Sequence, residues 1–159
     1  MRTERRAPRQ LYSEAERARR DASVWTVVQG VLAPLQFVAF LVSLAFVLRY
    51  LATGEGYLAA TISIFVKTAF LYAIMVTGSI WEKVVFGRWL FAPAFFWEDV
   101  FSFVVIALHT AYICAVSIGS VDASGQMAIA LAAYAAYVVN AGQFLWKLRA
   151  ARLEAGVAA

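Results

Sequence analysis

The stretch VWTVVQGVLAPLQFVAFLVSLAFVL, residues 24–48, contains no charged side chain. A helix needs about 20 mostly apolar residues to cross roughly 30 Å of hydrocarbon, and three further stretches have that length, at about 58–81, 95–118 and 127–146. Because 63% of the 159 residues are hydrophobic and only 15% are charged, a water-soluble fold could not bury this apolar surface. The sequence therefore predicts an all-α integral membrane bundle of four transmembrane helices.

The distribution of basic residues predicts the orientation of these helices. The segment before the first span, the loop 82–94 and the C-terminal tail carry 12 of the 14 Lys and Arg side chains, whereas the other two loops carry only Arg49. Cytoplasmic loops of membrane proteins are enriched in Lys and Arg, so both termini are expected in the cytoplasm. All five tryptophans fall near the predicted cytoplasmic boundaries, where amphipathic rings are favoured: Trp25, Trp81, Trp89, Trp97 and Trp146.

The chain is expected to divide into a basic cytoplasmic or interfacial segment (1–23), a transmembrane domain (24–146) and a basic cytoplasmic tail (147–159). Ser13 and Glu16 have the spacing of a capping box, which predicts a short, arginine-rich interfacial helix over 13–22. Juxtamembrane arginines are attracted to anionic lipid heads. Since no nucleic-acid recognition motif accompanies them, lipid is the expected partner and nucleic acid is not.

Ionisable groups within a span are costly, so each indicates a partner or a function. Counting from the cytoplasmic boundaries places Lys67 and His109 at one level in the middle of the membrane. A second layer lies nearer the cytoplasm and contains polar candidates for a site: Glu98, Asp99, Asn140 and Gln143, with Glu82, Lys83 and Arg88 at its mouth.

The carboxyl groups allow two interpretations. A poorly hydrated zone disfavours the charged form of a carboxyl, and a neutral carboxyl can act as a general acid. Alternatively, Glu98 and Asp99 cap the positive end of the third helix and pair with Lys83 or Arg88.

The deeper pair is also ambiguous. His109 is the only histidine, which excludes a bis-histidine haem within one chain. It could ligate the magnesium of a chlorophyll-type ring or form a hydrogen bond between helices. Lys67 could neutralise a carboxylate, pair with a buried acid or extend toward the membrane surface. The single cysteine, Cys114, excludes a thiolate zinc site or an iron–sulfur cluster built by this chain alone, so no metal of its own is expected.

Aromatic residues are dense in WEKVVFGRWLFAPAFFW, residues 81–97. This composition suits a flat conjugated ligand at the membrane surface, and it suits an ordinary interfacial anchor equally well.

Five long strings of the sequence resemble the 3-vinyl bacteriochlorophyllide hydratase family of phototrophic bacteria. They are LYSEAERARRDASVWTVVQGVLAPLQF, LRYLATGEG, MVTGSIWEKVVFGRWLFAPAFFWEDV, ALHTAY and YVVNAGQFLWKLRAARLE, between residues 11 and 154. The resemblance implies a hydro-lyase of bacteriochlorophyll biosynthesis, in the bacterial inner membrane, that adds water to the 3-vinyl group of a chlorophyllide. No cofactor is implied. The expected partners are the tetrapyrrole substrate and membrane lipid, and a second copy of the chain or other pigment-biosynthesis or photosynthetic proteins are further candidates.

Hydration of a vinyl group needs an acid and a positioned water, so the buried carboxyls become candidate catalytic groups. We expect Glu98 to donate the proton while Asp99 or Glu82 positions water. Arg88 and Lys83 are expected to hold the substrate's propionate. Further candidates for substrate contact are His109, as a magnesium ligand, and Lys67, Trp81, Trp97, Asn140 and Gln143.

Two other functions fit the same residues. One is a non-catalytic pigment-binding or assembly subunit of a photosynthetic complex. The other is a small transporter, which is favoured only by Lys67 and by the kink that Pro34 predicts in the first span, and is opposed by the absence of an inverted repeat.

Overall fold

A computed structural model describes residues 10–157, with side chains described as far as Leu153, and over that range it contains five helices and no strand. The arginines of residues 2–9, which contribute to the predicted charge asymmetry, lie outside the described residues. The helices are α1 (Glu14–Ala22), α2 (Val24–Thr53), α3 (Tyr57–Phe86), α4 (Phe96–Ile118) and α5 (Ala123–Val157).

The four helices α2 to α5 are each long and apolar enough to cross a membrane. The predicted all-α fold with four spans is therefore confirmed. The helices extend beyond the predicted apolar stretches, because α2 and α3 end only where Gly54 (φ 74°) and Gly87 (φ 80°) adopt the left-handed conformation that closes a helix. Helix α5 likewise continues past Trp146 through the residues assigned to a basic tail.

Apolar side chains cover the outside of the bundle, whereas polar ones lie within it. Leu58, Ile62 and Ile118 are largely exposed, while Ser43, Lys67 and His109 are fully buried. In water this arrangement would be unstable, but hydrocarbon solvates the apolar exterior and drives polar groups inward. The chain is a multi-pass membrane protein.

Packing divides the bundle into two helix pairs. Helix α2 packs along α3, and α4 packs along α5, while narrower contacts join α3 to α4 and α2 to α5. Small residues on α5, including the fully buried Ala130 and Ala133, allow this helix to lie close to its neighbours.

The short helix α1 packs against the C-terminal end of α3. The predicted capping box is present, with the Ser13 amide donating to Glu16 and the Glu16 amide donating to the Ser13 hydroxyl. Tyr12 stacks on Phe86, and Arg19 Nε donates to the Val85 carbonyl at 2.8 Å, one of the carbonyls left free at a helix end. The placement of both termini in the cytoplasm stays a prediction.

Candidate active site

Three carboxyl groups lie together where α3 ends and α4 begins, and we call them the carboxyl cluster: Glu82, Glu98 and Asp99. Their residues are only 5%, 5% and 4% exposed, respectively. Glu82 lies in the last turns of α3, and the other two lie in the first turn of α4, so the loop 87–95 brings them together. Burying three acids in one place requires partners for each of them.

Glu82 and Asp99 lie side by side, because neighbouring residues of the loop 87–95 bind one carboxyl each. The loop provides these bonds from two consecutive backbone amides. Phe91 N–H donates to Asp99 Oδ2 at 2.7 Å, and Ala92 N–H donates to Glu82 Oε2 at 3.1 Å. Neither carboxyl forms a salt bridge with a described residue, and two neighbouring buried carboxylates repel each other, so the pair is a candidate to hold a single proton.

The loop adopts an unusual backbone conformation to make these contacts. Phe91 has φ 58°, the only non-glycine residue with positive φ among those that the structure describes. A bulky residue in this region is strained and persists only where surrounding contacts hold it. Here those contacts include the bond to Asp99, so the strain lies directly at the carboxyl cluster.

Glu98 forms an ion pair with Lys147 of α5, at 2.6 Å between Oε2 and Nζ. Lys147 also donates to the Ala94 carbonyl. The alternative pairing with Lys83 or Arg88 is wrong for Glu98 and does not occur for Asp99, because Lys83 Nζ instead donates to the Gly87 carbonyl at 3.0 Å and Arg88 is exposed.

Lys147 is the site residue that sequence reasoning missed. It was assigned to the tail because the apolar stretch ends at Trp146. Extending the fourth predicted helix past Trp146 would have included it. Asn140, Gln143 and Lys147 are spaced three and four residues apart, so they share one face of α5.

Two amide side chains of α5 line the next turn inward. Asn140 Nδ2 donates to Ser102 Oγ at 2.9 Å, and Ser102 Oγ donates to the Glu98 carbonyl at 2.8 Å. The carbonyl oxygens Asn140 Oδ1 and Gln143 Oε1 are buried and receive no hydrogen bond from any residue that the structure describes. Of the predicted shallow layer, Glu98 and Asn140 thus lie at the interface between α4 and α5, and Gln143 lies one turn after Asn140 on α5.

The deeper polar residues are in direct contact with each other. Lys67 Nζ and His109 Nε2 form a hydrogen bond, and His109 Nδ1 donates to the Val105 carbonyl at 2.7 Å. The Lys67 ammonium lies over the rings of Tyr134 and Tyr137, at 5.2 and 4.2 Å from their centroids. Both ring nitrogens of His109 are engaged, so ligation of a magnesium ion would require it to release Lys67.

Exposed aromatic rings lie beside the carboxyl cluster, and we call them the aromatic surface: Trp89, Phe91, Phe96, Trp97 and Phe103. Phe91 stacks on Phe103 with centroids 5.6 Å apart and an interplanar angle of 14°. Trp97, which is 65% exposed, packs edge-on against Phe96. These rings therefore form an outward-facing surface, not an enclosed pocket.

Trp81 does not belong to this surface. Its Nε1 donates to Thr26 Oγ1 at 3.0 Å, and its ring packs against Phe86 and Phe95. A separate groove of about 350 Å³ lies between the start of the described chain and the loop 87–95, and none of the three carboxyls lines it.

A model of the protein family described as 2-vinyl bacteriochlorophyllide hydratase (BCHF) matches residues 12–150, which is most of the chain. The chain belongs to this family. A family protein from Rhodobacter capsulatus is 73% identical over 145 residues, covering 91% of this chain and 84% of the relative. One from Cereibacter sphaeroides is 71% identical over 146 residues, covering 92% and 91%. No solved structure matches the chain.

The hydratase family predicted from the five sequence strings is confirmed, and with it an enzyme rather than a non-catalytic subunit. The family's name numbers the vinyl position as 2, where the resemblance gave 3. For a hydratase, the carboxyl cluster is the candidate site because addition of water requires a proton donor, and this cluster holds three buried acids, one of them in an ion pair.

Proposed function

We propose that this chain adds water across the vinyl group of a bacteriochlorophyllide during bacteriochlorophyll biosynthesis, producing a 1-hydroxyethyl substituent. Membership of the hydratase family supports the reaction. The observation that carries the assignment of residues is that two consecutive loop amides bind Glu82 and Asp99 and so hold two buried carboxyl groups side by side.

The reaction begins with proton transfer to the terminal vinyl carbon. The π electrons form the new C–H bond, and the positive charge left on the inner carbon is delocalised over the conjugated macrocycle. Water then attacks the inner carbon, and the proton that it loses returns to the carboxylate. We assign the proton to the Glu82–Asp99 pair, because one carboxyl can donate while its partner and two backbone amides stabilise the charge that remains.

Glu98, which the sequence suggested as the proton donor, receives a different role in this proposal. A carboxylate that already forms an ion pair is a poor proton donor, and Lys147 contacts Glu98 directly. We assign the Glu98–Lys147 pair to joining α4 to α5 at the site and to fixing a charge beside the reacting groups.

The macrocycle is proposed to lie flat on the aromatic surface. Offset stacking of aromatic systems contributes about 0.5–1.5 kcal/mol per pair beyond the burial of apolar area. Phe91 joins this surface to the chemistry, because its ring stacks on Phe103 while its amide binds Asp99. We assign binding of the substrate's propionate to Lys83 of α3 and to Arg88 of the following loop, because both cations are exposed.

The proposed setting is the bacterial inner membrane with both termini in the cytoplasm. The basic side chains Arg17, Arg19 and Arg20 of α1 would then face anionic lipid heads. In this orientation the carboxyl cluster lies at the cytoplasmic end of the bundle, so water and an amphipathic pigment can both reach it.

The test is hydration of a vinyl chlorophyllide by membranes that contain the protein, followed by the mass gain of one water and by a blue shift of the long-wavelength absorption band. We expect Glu82→Gln and Asp99→Asn each to reduce turnover by roughly 100-fold or more, the scale of a lost general acid. Glu55→Gln, an exposed acid between α2 and α3, is the matched control and should hydrate normally. Normal turnover by both E82Q and D99N would exclude the pair, and pigment binding by the wild type without mass gain would exclude the reaction.

A further inference from the structure

We propose that Asn140 and Gln143 bind the water molecule that attacks the vinyl group, an inference that rests on the proposed hydratase function. Asn140 contacts Ser102, one turn after Glu98, and Gln143 lies between Asn140 and Lys147 on α5.

The orientation of Asn140 is fixed by its neighbour. Ser102 Oγ donates its hydrogen to the Glu98 carbonyl, so toward Asn140 it can only accept. Asn140 must therefore present Nδ2 to Ser102, and its Oδ1 points the other way. That oxygen belongs to a side chain only 7% exposed and has no donor within reach among the described residues.

Gln143 adds a second oxygen of the same kind. It follows Asn140 by three residues, so the two side chains are neighbours on one face of α5, and its buried Oε1 also lacks a donor in the described part of the chain. Four residues further on, Lys147 binds Glu98. The two free acceptors thus lie on the helix face that leads directly to the carboxyl cluster.

Two buried hydrogen-bond acceptors without a donor require a ligand that can donate hydrogen bonds. Water is the smallest ligand that can donate to both of them. Buried waters are held by about two to four hydrogen bonds to polar groups that lack other partners. A water that donates to amide oxygens keeps its lone pairs for another partner, and the amide oxygens stabilise the positive charge that the water acquires as it attacks.

In the proposed step, the Glu82–Asp99 pair gives a proton to the terminal vinyl carbon. A lone pair of the bound water then forms the C–O bond to the resulting cation. The oxonium then returns one proton to the carboxylate, which restores the pair. Without the bound water, the cation can only return a proton to the carboxylate and regenerate the vinyl group.

Deuterium exchange separates these two halves of the reaction. In D2O, a variant that protonates the vinyl group but lacks the water should place deuterium on the terminal carbon of unreacted substrate. For Asn140→Leu combined with Gln143→Met, which keep the shapes of the side chains, we expect hydration to fall roughly 100-fold, the effect of a misplaced reactant. Exchange should continue at a rate comparable to wild-type turnover.

Matched single variants test the oxygen itself. Q143E keeps an acceptor at this position and should lose less hydration than Q143M, which removes the acceptor and should lower kcat with an unchanged KM. A packing role predicts the reverse order, because methionine is easier to bury than a charged carboxylate. These variants also keep the test valid if the Asn140 substitution prevents folding.

The inference is overturned if the double variant hydrates at the wild-type rate, if Q143M outperforms Q143E, or if exchange and hydration fall together in a variant that still binds pigment. Failure of the proposed function has a different signature. In that case the wild type shows neither hydration nor exchange, and E82Q changes nothing.

Discussion

Replacement of Lys147 by Met should leave the Glu98 carboxylate buried without its partner. Removing one member of a fully buried ion pair costs about 3–5 kcal/mol, whereas an exposed pair contributes about 0–1 kcal/mol. Glu98 has a side chain only 7% exposed, but that of Lys147 is 26% exposed, so this pair lies between the two limits. We expect K147M to lower the free energy of unfolding by about 2–3 kcal/mol.

The reverse replacement should be milder. In E98Q the lysine can turn toward solvent along its flexible stem, and the amide keeps the shape of the carboxylate, so a loss of about 1 kcal/mol is expected. The double variant K147M/E98Q should be more stable than K147M alone by about 1–2 kcal/mol, because no unpaired charge remains.

Reversible unfolding of the purified protein in mixed micelles, followed by tryptophan fluorescence, measures these differences as a double-mutant cycle. Additive effects of the two substitutions would refute the ion pair as a structural link between α4 and α5. The same variants separate structure from catalysis: E98Q should retain hydration within about tenfold of wild type, while loss of a proton donor costs roughly 100-fold or more. Loss of turnover in a stable E98Q variant would return the role of proton donor to Glu98.

Other consequences are open to measurement. Phe91→Ala should raise KM up to about tenfold with little change in kcat, because one stacking ring is lost. F91G should be more stable than F91A, since glycine adopts φ 58° freely. Thermal unfolding compares the stabilities of these two variants. Arg88→Ala should weaken substrate binding more than turnover, and equal affinity would contradict a propionate contact. His109→Gln should leave pigment affinity unchanged, whereas a large loss would indicate magnesium ligation. An impermeant thiol reagent applied outside cells should label E55C but not E14C, and the opposite result would invert the orientation.

The resemblance and the number of spans could both be read from the sequence, since each depends on local strings of residues. A bilayer of fixed thickness imposes a minimum apolar length on every span, so four such stretches determine four helices whatever their packing. The exact ends were missed because a helix continues through polar residues until glycine or a loop stops it, and this is why Lys147 was assigned to the tail.

The arrangement of the site was decided by tertiary structure. Glu82 meets Asp99 only because the loop 87–95 folds back and gives one amide to each carboxyl. Glu98 meets Lys147 across 49 residues of sequence because α4 and α5 pack along each other. Composition places acids and bases at one depth of the membrane, but it does not determine which face of each helix turns toward which neighbour. That rotation distinguishes a buried carboxyl bound by backbone amides from one held in an ion pair.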